Sequence, residues 1–229
     1  MDCWAQKIVS MYRTAFLASS ILLSLLSILS CSDKKEEGLP YYNTPDFTPL
    51  FMRTLEEANK KISHTIGTFS FTDQHGKSIT EKDIEGKIHV ANFIFTSCGS
   101  ICPVMTKHLK LVQEQFANNS DVVILSYSVT PWIDDVSHLK KYADENAITS
   151  PNWHLLTGKK SEIYTLARQS YFAEEDLGFT KDSTEFLHTE HVVLIDQSKK
   201  IRGIYNGTLQ LEIEQAIKDI NELTREANR

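Results

Sequence analysis

Two cysteines, Cys98 and Cys102, are the residues whose type and spacing are best suited to chemistry in this sequence. Three residues separate them, and Pro103 follows the second. Residues four apart face one another across one helical turn, so two sulfurs at this spacing could form a disulfide or bind one metal ion. Two thiolates are soft ligands that favour Cu(I) over hard cations, and a histidine would complete a trigonal site.

The position of the pair in the chain favours a functional role. An apolar run over Ile88–Phe95 ends just before Cys98, and a helical pattern begins near Cys102. The free N–H groups and the dipole at a helix start lower the pKa of a thiol placed there. A purely structural disulfide would close a very short loop and add little stability. A structural zinc site would need four ligands, and the other cysteines, Cys3 and Cys31, lie in or beside a predicted leader.

The third ligand is sought among eight histidines. His188 and His191 are the candidates, because their segment enters a late pair of strands expected to lie beside the cysteines. His108 is roughly 240° around the helix from Cys102, at about 100° per residue, and is predicted to point elsewhere. Met105 is three residues after Cys102, where a core role is more common than an auxiliary ligand role. The residue pattern leaves both His188 and His191 open.

The elements that must position these residues alternate between strands and helices. Continuous apolar runs predict strands buried on both faces, and apolar residues at helical spacing predict amphipathic helices between them. The predicted elements are a short helical pattern over 54–61, a hairpin over 67–80, strands over 88–95, 122–129, 153–156, 191–196 and 201–205, and helices over 104–116, 134–146, 160–171 and 209–226. This order predicts an α/β fold of the thioredoxin-like type, with a mixed central sheet flanked by helices and an extra N-terminal hairpin.

The N-terminal residues have the pattern of an export signal. An apolar run over Ala15–Leu29 follows Lys7 and Arg13, and it is shorter than the roughly 20 residues of a spanning helix. Ile28–Cys31 resembles a bacterial lipobox, which predicts a lipid on Cys31 and a membrane-anchored lipoprotein with its domain in the periplasm; an uncleaved signal anchor is the alternative. The predicted organisation is a signal peptide over 1–30, a lipid-anchored tether and leading segment over 31–61, and one domain over 62–229.

Charge excludes other classes of function. The formal net charge is −6, and no basic run interleaved with aromatic residues occurs. Acidic balance of this kind argues against nucleic acid as a partner. A phosphate-binding glycine loop of the Walker type is also absent from the sequence, which argues against nucleotide chemistry.

A family resemblance becomes specific at the cysteines. Residues Phe93–Pro103, followed much later by His188 six residues before Leu194, resemble the signature of the Sco/SenC family. The resemblance extends over roughly Gly67–Asn206. It implies a thioredoxin fold in which Cys98, Cys102 and His188 bind a copper ion, and the family's spacing is what selects His188.

The resemblance also implies a role and partners. Such a protein would supply copper to the CuA site of a cytochrome c oxidase subunit, or keep the thiols of that site reduced, and it would need a thiol reductant of its own. One departure concerns Thr130, which precedes Pro131 where many members carry an aspartate. The missing acid puts a carboxylate near the metal site in doubt.

Two other functions remain open at this stage. The first is an extracytoplasmic thiol–disulfide oxidoreductase or peroxidase-like redox protein, in which one cysteine attacks and the other resolves. The second is a copper or redox sensor that delivers no metal. The resemblance favours a chaperone over an enzyme with turnover.

Overall fold

The computed structural model describes residues 38–173 and 189–227. The predicted leader, Cys31 and His188 lie outside this range, so the structure does not test them. The described residues form nine strands in one sheet, in the order β2-β1-β9-β8-β5-β6-β7-β3-β4. Within these residues, no helix is both long enough and apolar enough to cross a membrane.

Two short strands come first, and from residue 55 onward the strands and helices follow the predicted order. The strands are β1 (Tyr41–Tyr42), β2 (Pro49–Leu50), β3 (Ser70–Asp73), β4 (Ser78–Thr80), β5 (Ile88–Ile94), β6 (Val122–Ser128), β7 (Trp153–Thr157), β8 (His191–Ile195) and β9 (Ile201–Asn206). The helices are α1 (Leu55–Lys61), α2 (Ile101–Gln115), α3 (Val136–Glu145), α4 (Lys160–Gln169) and α5 (Gln210–Ala227).

The centre of the sheet is mixed, as the thioredoxin-like prediction requires. Strands β5 and β6 are parallel over seven paired residues, and every residue of both is buried. Strand β8 pairs with β5 in the antiparallel direction and β9 pairs with β8, so the late hairpin extends the sheet. Strands buried on both faces need apolar residues at successive positions, which is why these segments read as continuous apolar runs.

Helices cover both faces of the sheet. On one face, which we call the α2 face, helices α2, α3 and α5 pack over one apolar cluster that includes Met105, Leu139 and Ile213. On the other, the α4 face, helix α4 packs over a second cluster that includes Ile163 and Tyr127. Because side chains alternate along a strand, neighbouring residues of β8 contribute to different clusters.

Two boundaries differ from the prediction. The sheet already includes Tyr41–Tyr42, which pairs with β9 and β2, so the compact unit extends N-terminal to residue 62. A two-residue strand has no periodicity of its own, and the pattern therefore gave no sign of it. Helix α2 begins at Ile101 and not at Val104, which brings Cys102 into its first turn. Pro103 fits there because the first turn of a helix leaves its N–H groups without partners inside the helix.

Candidate functional site

The loop between β5 and α2 holds Cys98 at the start of the helix. The Cys98 N–H donates to Phe95 O at 3.0 Å, which turns the chain at the end of the buried strand. Ser100 is the N-cap of α2, yet its side chain forms no capping hydrogen bond. The Cys98 sulfur caps the helix instead: it accepts from the N–H of Cys102, the second helical residue, and also from the Ser100 N–H at 3.4 Å. A cysteine sulfur therefore accepts hydrogen bonds that a serine or aspartate oxygen usually accepts at a helix start.

These contacts favour the thiolate of Cys98. The N–H of Cys102, followed by the N–H groups of Ser100 and Ile101 and the Cys102 thiol, lowers the pKa of Cys98 below its ordinary value of 9.0 against the opposing effect of burial. Hydrogen bonds donated to the charged form stabilise it. Cys98 is also partly exposed. It is therefore the reactive and accessible sulfur of the pair.

Cys102 lies in the opposite environment. Its side chain is buried, with 6% of the residue exposed, and its sulfur accepts from the Phe95 N–H at 3.4 Å. Burial raises the pKa of Cys102 to about 11, and the charges of Cys98 and Asp134 add to the rise. The helix start was expected to lower the pKa of a thiol placed there. The structure limits that effect to Cys98, because removal from water outweighs it at Cys102.

Asp134 is a fully buried carboxylate beside this pair. It accepts hydrogen bonds from Thr96 Oγ1 at 2.5 Å, from Ser128 Oγ at 2.5 Å and from Thr130 Oγ1 at 2.9 Å. His138 Nε2 lies 3.7 Å from its Oδ1 atom. These donors come from the residues after β5, from the end of β6 and from the loop beyond it, so Asp134 joins the end of β6 to the segment that leads into the cysteines.

Asp134 supplies a buried carboxylate in this region, although Thr130 replaces the aspartate of many family members. The acid that many family members carry before Pro131 is replaced here by a hydroxyl, and that hydroxyl donates to Asp134 four residues later. A carboxylate is therefore present whose charge acts on the Cys102 thiol, although at a position that the family resemblance did not single out. The sequence signal was the set of hydroxyl residues at two strand ends with an aspartate just ahead of helix α3.

His191 lies on the wrong face of the sheet to join Cys102. Val192 belongs to the cluster on the α2 face, and alternation places His191 on the α4 face. Its ring packs edge-on against Phe47 with ring centroids 5.5 Å apart, and Phe47 packs against the cluster on the α4 face. Cys102 is carried by α2 on the other side of the sheet. This geometry counts against His191 as the third ligand.

Two further expectations concern helix α2. His108 points away from the cysteines, as predicted, and its Nδ1 atom donates to Gly207 O at 2.9 Å. Met105 is fully buried in the cluster on the α2 face, which supports its core role over an auxiliary ligand role. Within the described residues, no three of His, Cys, Asp and Glu come together as a metal cluster. Fold and site together define a thioredoxin-like protein with an asymmetric pair of thiols at the start of a helix.

Comparison with known families then identifies the group. The SCO1/SenC family model matches residues 57–225, which is most of the chain. The chain belongs to the SCO1/SenC family.

Solved structures agree with this assignment. A SCO1/SenC family lipoprotein from Bacillus anthracis str. Ames is 31% identical with a TM-score of 0.62, covering 71% of this chain and 96% of that chain. BsSco, a member of the Sco family of cytochrome c oxidase assembly proteins with a disulfide switch, is 32% identical with a TM-score of 0.60, covering 71% and 94%. Arabidopsis thaliana ScoI with copper bound is 28% identical with a TM-score of 0.53, covering 68% and 98%.

Proposed function

We propose that this chain is a copper chaperone that holds its cargo between Cys98, Cys102 and His188. The observation that carries the proposal is the asymmetric thiol pair, in which a stabilised Cys98 sulfur and a buried Cys102 thiol share one helical turn. Two sulfurs suit Cu(I) better than hard cations, and the copper-bound relative supports the same cargo here. Binding would displace the Cys102 proton, since the thiolate is the form that binds metal.

The acceptor is the CuA-bearing subunit of cytochrome c oxidase, to which the chain delivers copper or whose thiols it keeps reduced. Membership of a family that includes cytochrome c oxidase assembly proteins supports this acceptor. Oxidation of Cys98 and Cys102 to a disulfide removes both sulfur ligands, so loading depends on a thiol reductant. The partial exposure of Cys98 suits transfer by ligand exchange, because an incoming thiol reaches it first.

Titration with Cu(I) under anaerobic, reducing conditions tests the ligand set. Against a competing chromophoric chelator, the parent chain is expected to bind a single Cu(I). Cys98→Ser and Cys102→Ser are expected to lose stoichiometric binding, and His188→Ala is expected to bind more weakly. His75→Ala is the matched control, because His75 lies in an exposed turn far along the chain from the cysteines.

Three results would contradict the proposal in different ways. Parent-like affinity in His188→Ala would remove the histidine from the site. Parent-like affinity in both cysteine variants would remove the whole site. If the purified chain binds copper as expected but cells that lack the chain have a normal CuA content, the copper site stands and the delivery role is refuted.

A thiol–disulfide oxidoreductase is the second candidate, and the split of the two thiols favours it specifically. A partly exposed Cys98 with a lowered pKa suits the attacking role, and a buried Cys102 suits the resolving role. Turnover of a disulfide or peroxide substrate, measured without copper, separates the two functions. Rates that are equally high with and without His188 would favour the oxidoreductase, whereas negligible turnover would favour the chaperone.

A lipid on Cys31 would anchor the chain to the outside of a bacterial membrane. The lipobox-like Ile28–Cys31 supports this location, and so does the lipoprotein from Bacillus anthracis among its relatives. Growth with labelled palmitate is expected to label the parent and the Cys3→Ser control, but not Cys31→Ser. Equal labelling of all three chains would refute the lipid site, and release of Cys31→Ser from the membrane fraction would identify the lipid as the anchor.

A further inference from the structure

The segment between β2 and α1 exposes two large apolar side chains. Phe51 directly follows β2 and is 51% exposed, and Leu55, the first residue of α1, is 64% exposed. The exposed Arg53 lies between them in the chain. Leu50 and Met52 pack against a small buried cluster, and alternation along the extended chain turns Phe51 outward. We call Phe51, Arg53 and Leu55 the β2-edge surface.

This surface lies beside the point at which the chain enters the domain. The antiparallel pairing of β1 with β2 sets Phe51 level with Pro40. Pro40 is two residues after Gly38, where the compact unit begins. The Pro40 carbonyl accepts from Arg202 Nε at 3.1 Å, so this part of the chain is fixed to the sheet. The β2-edge surface therefore keeps a constant position relative to the start of the domain.

The length of chain between the proposed lipid and the domain indicates what this surface meets. Gly38 is only seven residues after Cys31. Seven residues span at most about 25 Å when fully extended. A domain of this size is about 40 Å across. On so short a tether the faces around Gly38 stay nearest to the bilayer, and the β2-edge surface is among them.

The residue types of the surface suit the boundary between lipid headgroups and acyl chains. Large apolar side chains enter that boundary, and an arginine reaches the phosphates of anionic lipids. The two lysines of α1 pair with its two glutamates, so the net charge of the segment from Phe51 to Lys61 is that of Arg53. An apolar contact with one cation is therefore available to an anionic bilayer.

A second copy of the chain is the competing occupant, through a strand added to the open edge of the sheet. Strand β2 is the edge strand, but it is only two residues long. It also includes Pro49, which has no N–H to donate to a neighbouring strand. Short edges that carry proline are poor templates for strand pairing. These features favour the bilayer over strand addition.

We propose that the domain rests on the bilayer through the β2-edge surface, with Phe51 and Leu55 entering the headgroup region. The inference rests on the proposed lipid anchor at Cys31. Four strand spacings separate β2 from β5, the strand that leads to the cysteines. At about 4.8 Å per spacing, the start of the cysteine loop lies roughly 20 Å across the sheet from the contact. The contact thus sets the orientation in which the thiols meet their acceptor.

Quenching by brominated lipids tests the contact in the lipidated full chain. The chain is reconstituted in vesicles of phosphatidylcholine and phosphatidylglycerol, with and without brominated acyl chains. Phe51→Trp is expected to lose more fluorescence to the bromine than the parent, whose own tryptophans give the background. Leu211→Trp is the matched control, because Leu211 is 79% exposed on the first turn of α5, beyond the end of β9 that does not pair with β1. It is expected to be quenched no more than the parent.

A second substitution measures how much one apolar side chain contributes. Added to Phe51→Trp, Leu55→Ser is expected to lower the ratio of docked to undocked domain by on the order of tenfold, the scale for burying an apolar side chain that is already partly covered. Leu211→Ser in the same background is expected to leave the ratio unchanged. The Cu(I) affinity of both variants is expected to match the parent, since neither residue lies near the cysteine loop.

The outcomes separate this inference from the anchor on which it rests. If palmitate labels Cys31 but Phe51→Trp and Leu211→Trp are quenched alike, the inference is overturned and the lipid anchor stands. Self-association of the parent that is abolished in Phe51→Ser/Leu55→Ser would assign the surface to a second copy and would also overturn it. If Cys31 carries no lipid, the proposed anchor is wrong and the inference is lost with it, while the proposed copper site is untouched.

Discussion

The two ends of the central sheet each bury an aspartate, but the carboxylate oxygens have different kinds of partner at the two ends. At the cysteine end, where β5 and β6 finish, Asp134 is surrounded by hydroxyl donors. At the opposite end, which we call the arginine end, Asp196 follows β8 and Arg202 Nη1 lies 3.3 Å from its Oδ2 atom. Asp196 and Arg202 are both 4% exposed.

The arginine end uses its charges to hold the chain together. Arg202 also pairs with Glu226 at 2.9 Å, donates to Leu39 O at 2.9 Å and lies over the Tyr41 ring at 4.0 Å. One guanidinium therefore joins the N-terminal strand, β9 and the last helix. Asp196 thus has a cation as its partner, which compensates for the burial of its charge.

The cysteine end leaves its negative charge available. In the described part of the chain, the partners of Asp134 are three hydroxyls and, at 3.7 Å, His138 Nε2. Hydroxyls satisfy the oxygens without cancelling the charge, so the carboxylate contributes to the raised pKa of Cys102. At the arginine end the buried aspartate stabilises the fold through an ion pair. At the cysteine end the buried aspartate raises the pKa of a thiol.

The largest effect is expected at the arginine end. Arg202→Met should lower the free energy of unfolding by about 3–5 kcal/mol, because it leaves a buried carboxylate without its cation. Denaturant unfolding measures this loss. Arg225→Met is the control, since the Arg225 side chain is 66% exposed in its pair with Glu222 and should cost less than about 0.5 kcal/mol. Equal losses in the two variants would show that the buried ion pair of Arg202 contributes no more to stability than an exposed one.

The second expectation concerns the pH dependence of alkylation at the two thiols. The thiolate fraction rises as pH passes the pKa, so Cys98 should react below pH 9 and Cys102 only near pH 11. Between these two ranges the thiolate fraction of Cys98 should exceed that of Cys102. Iodoacetamide labelling of the parent chain over a pH series, with mass spectrometry to count the label on each cysteine, measures both thiols while each keeps its partner. Superimposed profiles would contradict the asymmetry of the site.

A smaller shift is expected when the buried charge is removed. Asp134→Asn should lower the pKa of Cys102 from about 11 toward its ordinary value, but only in part, because burial is the largest cause and remains. The pH profile of thiolate absorbance in Cys98→Ser measures the shift. Asp135→Asn is the control: Asp135 is the exposed N-cap of α3, and asparagine caps equally well. An unmoved Cys102 profile in Asp134→Asn would show that the carboxylate does not act on the thiol.

The smallest expected effect is at Thr96. Thr96→Val removes one of the three hydroxyl donors to Asp134 and should cost about 1 kcal/mol of stability, the usual scale for a single hydrogen bond. Thermal and denaturant unfolding measure the loss. Thr68→Val, on the distant approach to β3, provides the control for the substitution itself. A loss as large as that of Arg202→Met would mean that both ends serve stability alike.

Much of the fold could be predicted because its signals are local. The strands at Ile88–Ile94 and Val122–Ser128 are buried on both faces, so every position must be apolar or paired, and the pattern shows it. The strand at Tyr41–Tyr42 could not be found in this way, because two residues carry no period. It is held by pairing with β9 and by the side chain of Arg202 in that same strand, which lies far along the chain.

The features of the site are also of two kinds, those set by local sequence and those set by contacts between distant segments. The sequence by itself determined the thiol pair, its place at a helix start and the class of metal it suits, since spacing and residue type decide these locally. Only the tertiary structure decided that Cys98 is stabilised as a thiolate while Cys102 is buried, that the charge of Asp134 acts on Cys102, and that His191 lies on the face of the sheet away from α2. Each of these depends on which distant segments pack together and on how much water they exclude, and neither is encoded in any short stretch of residues.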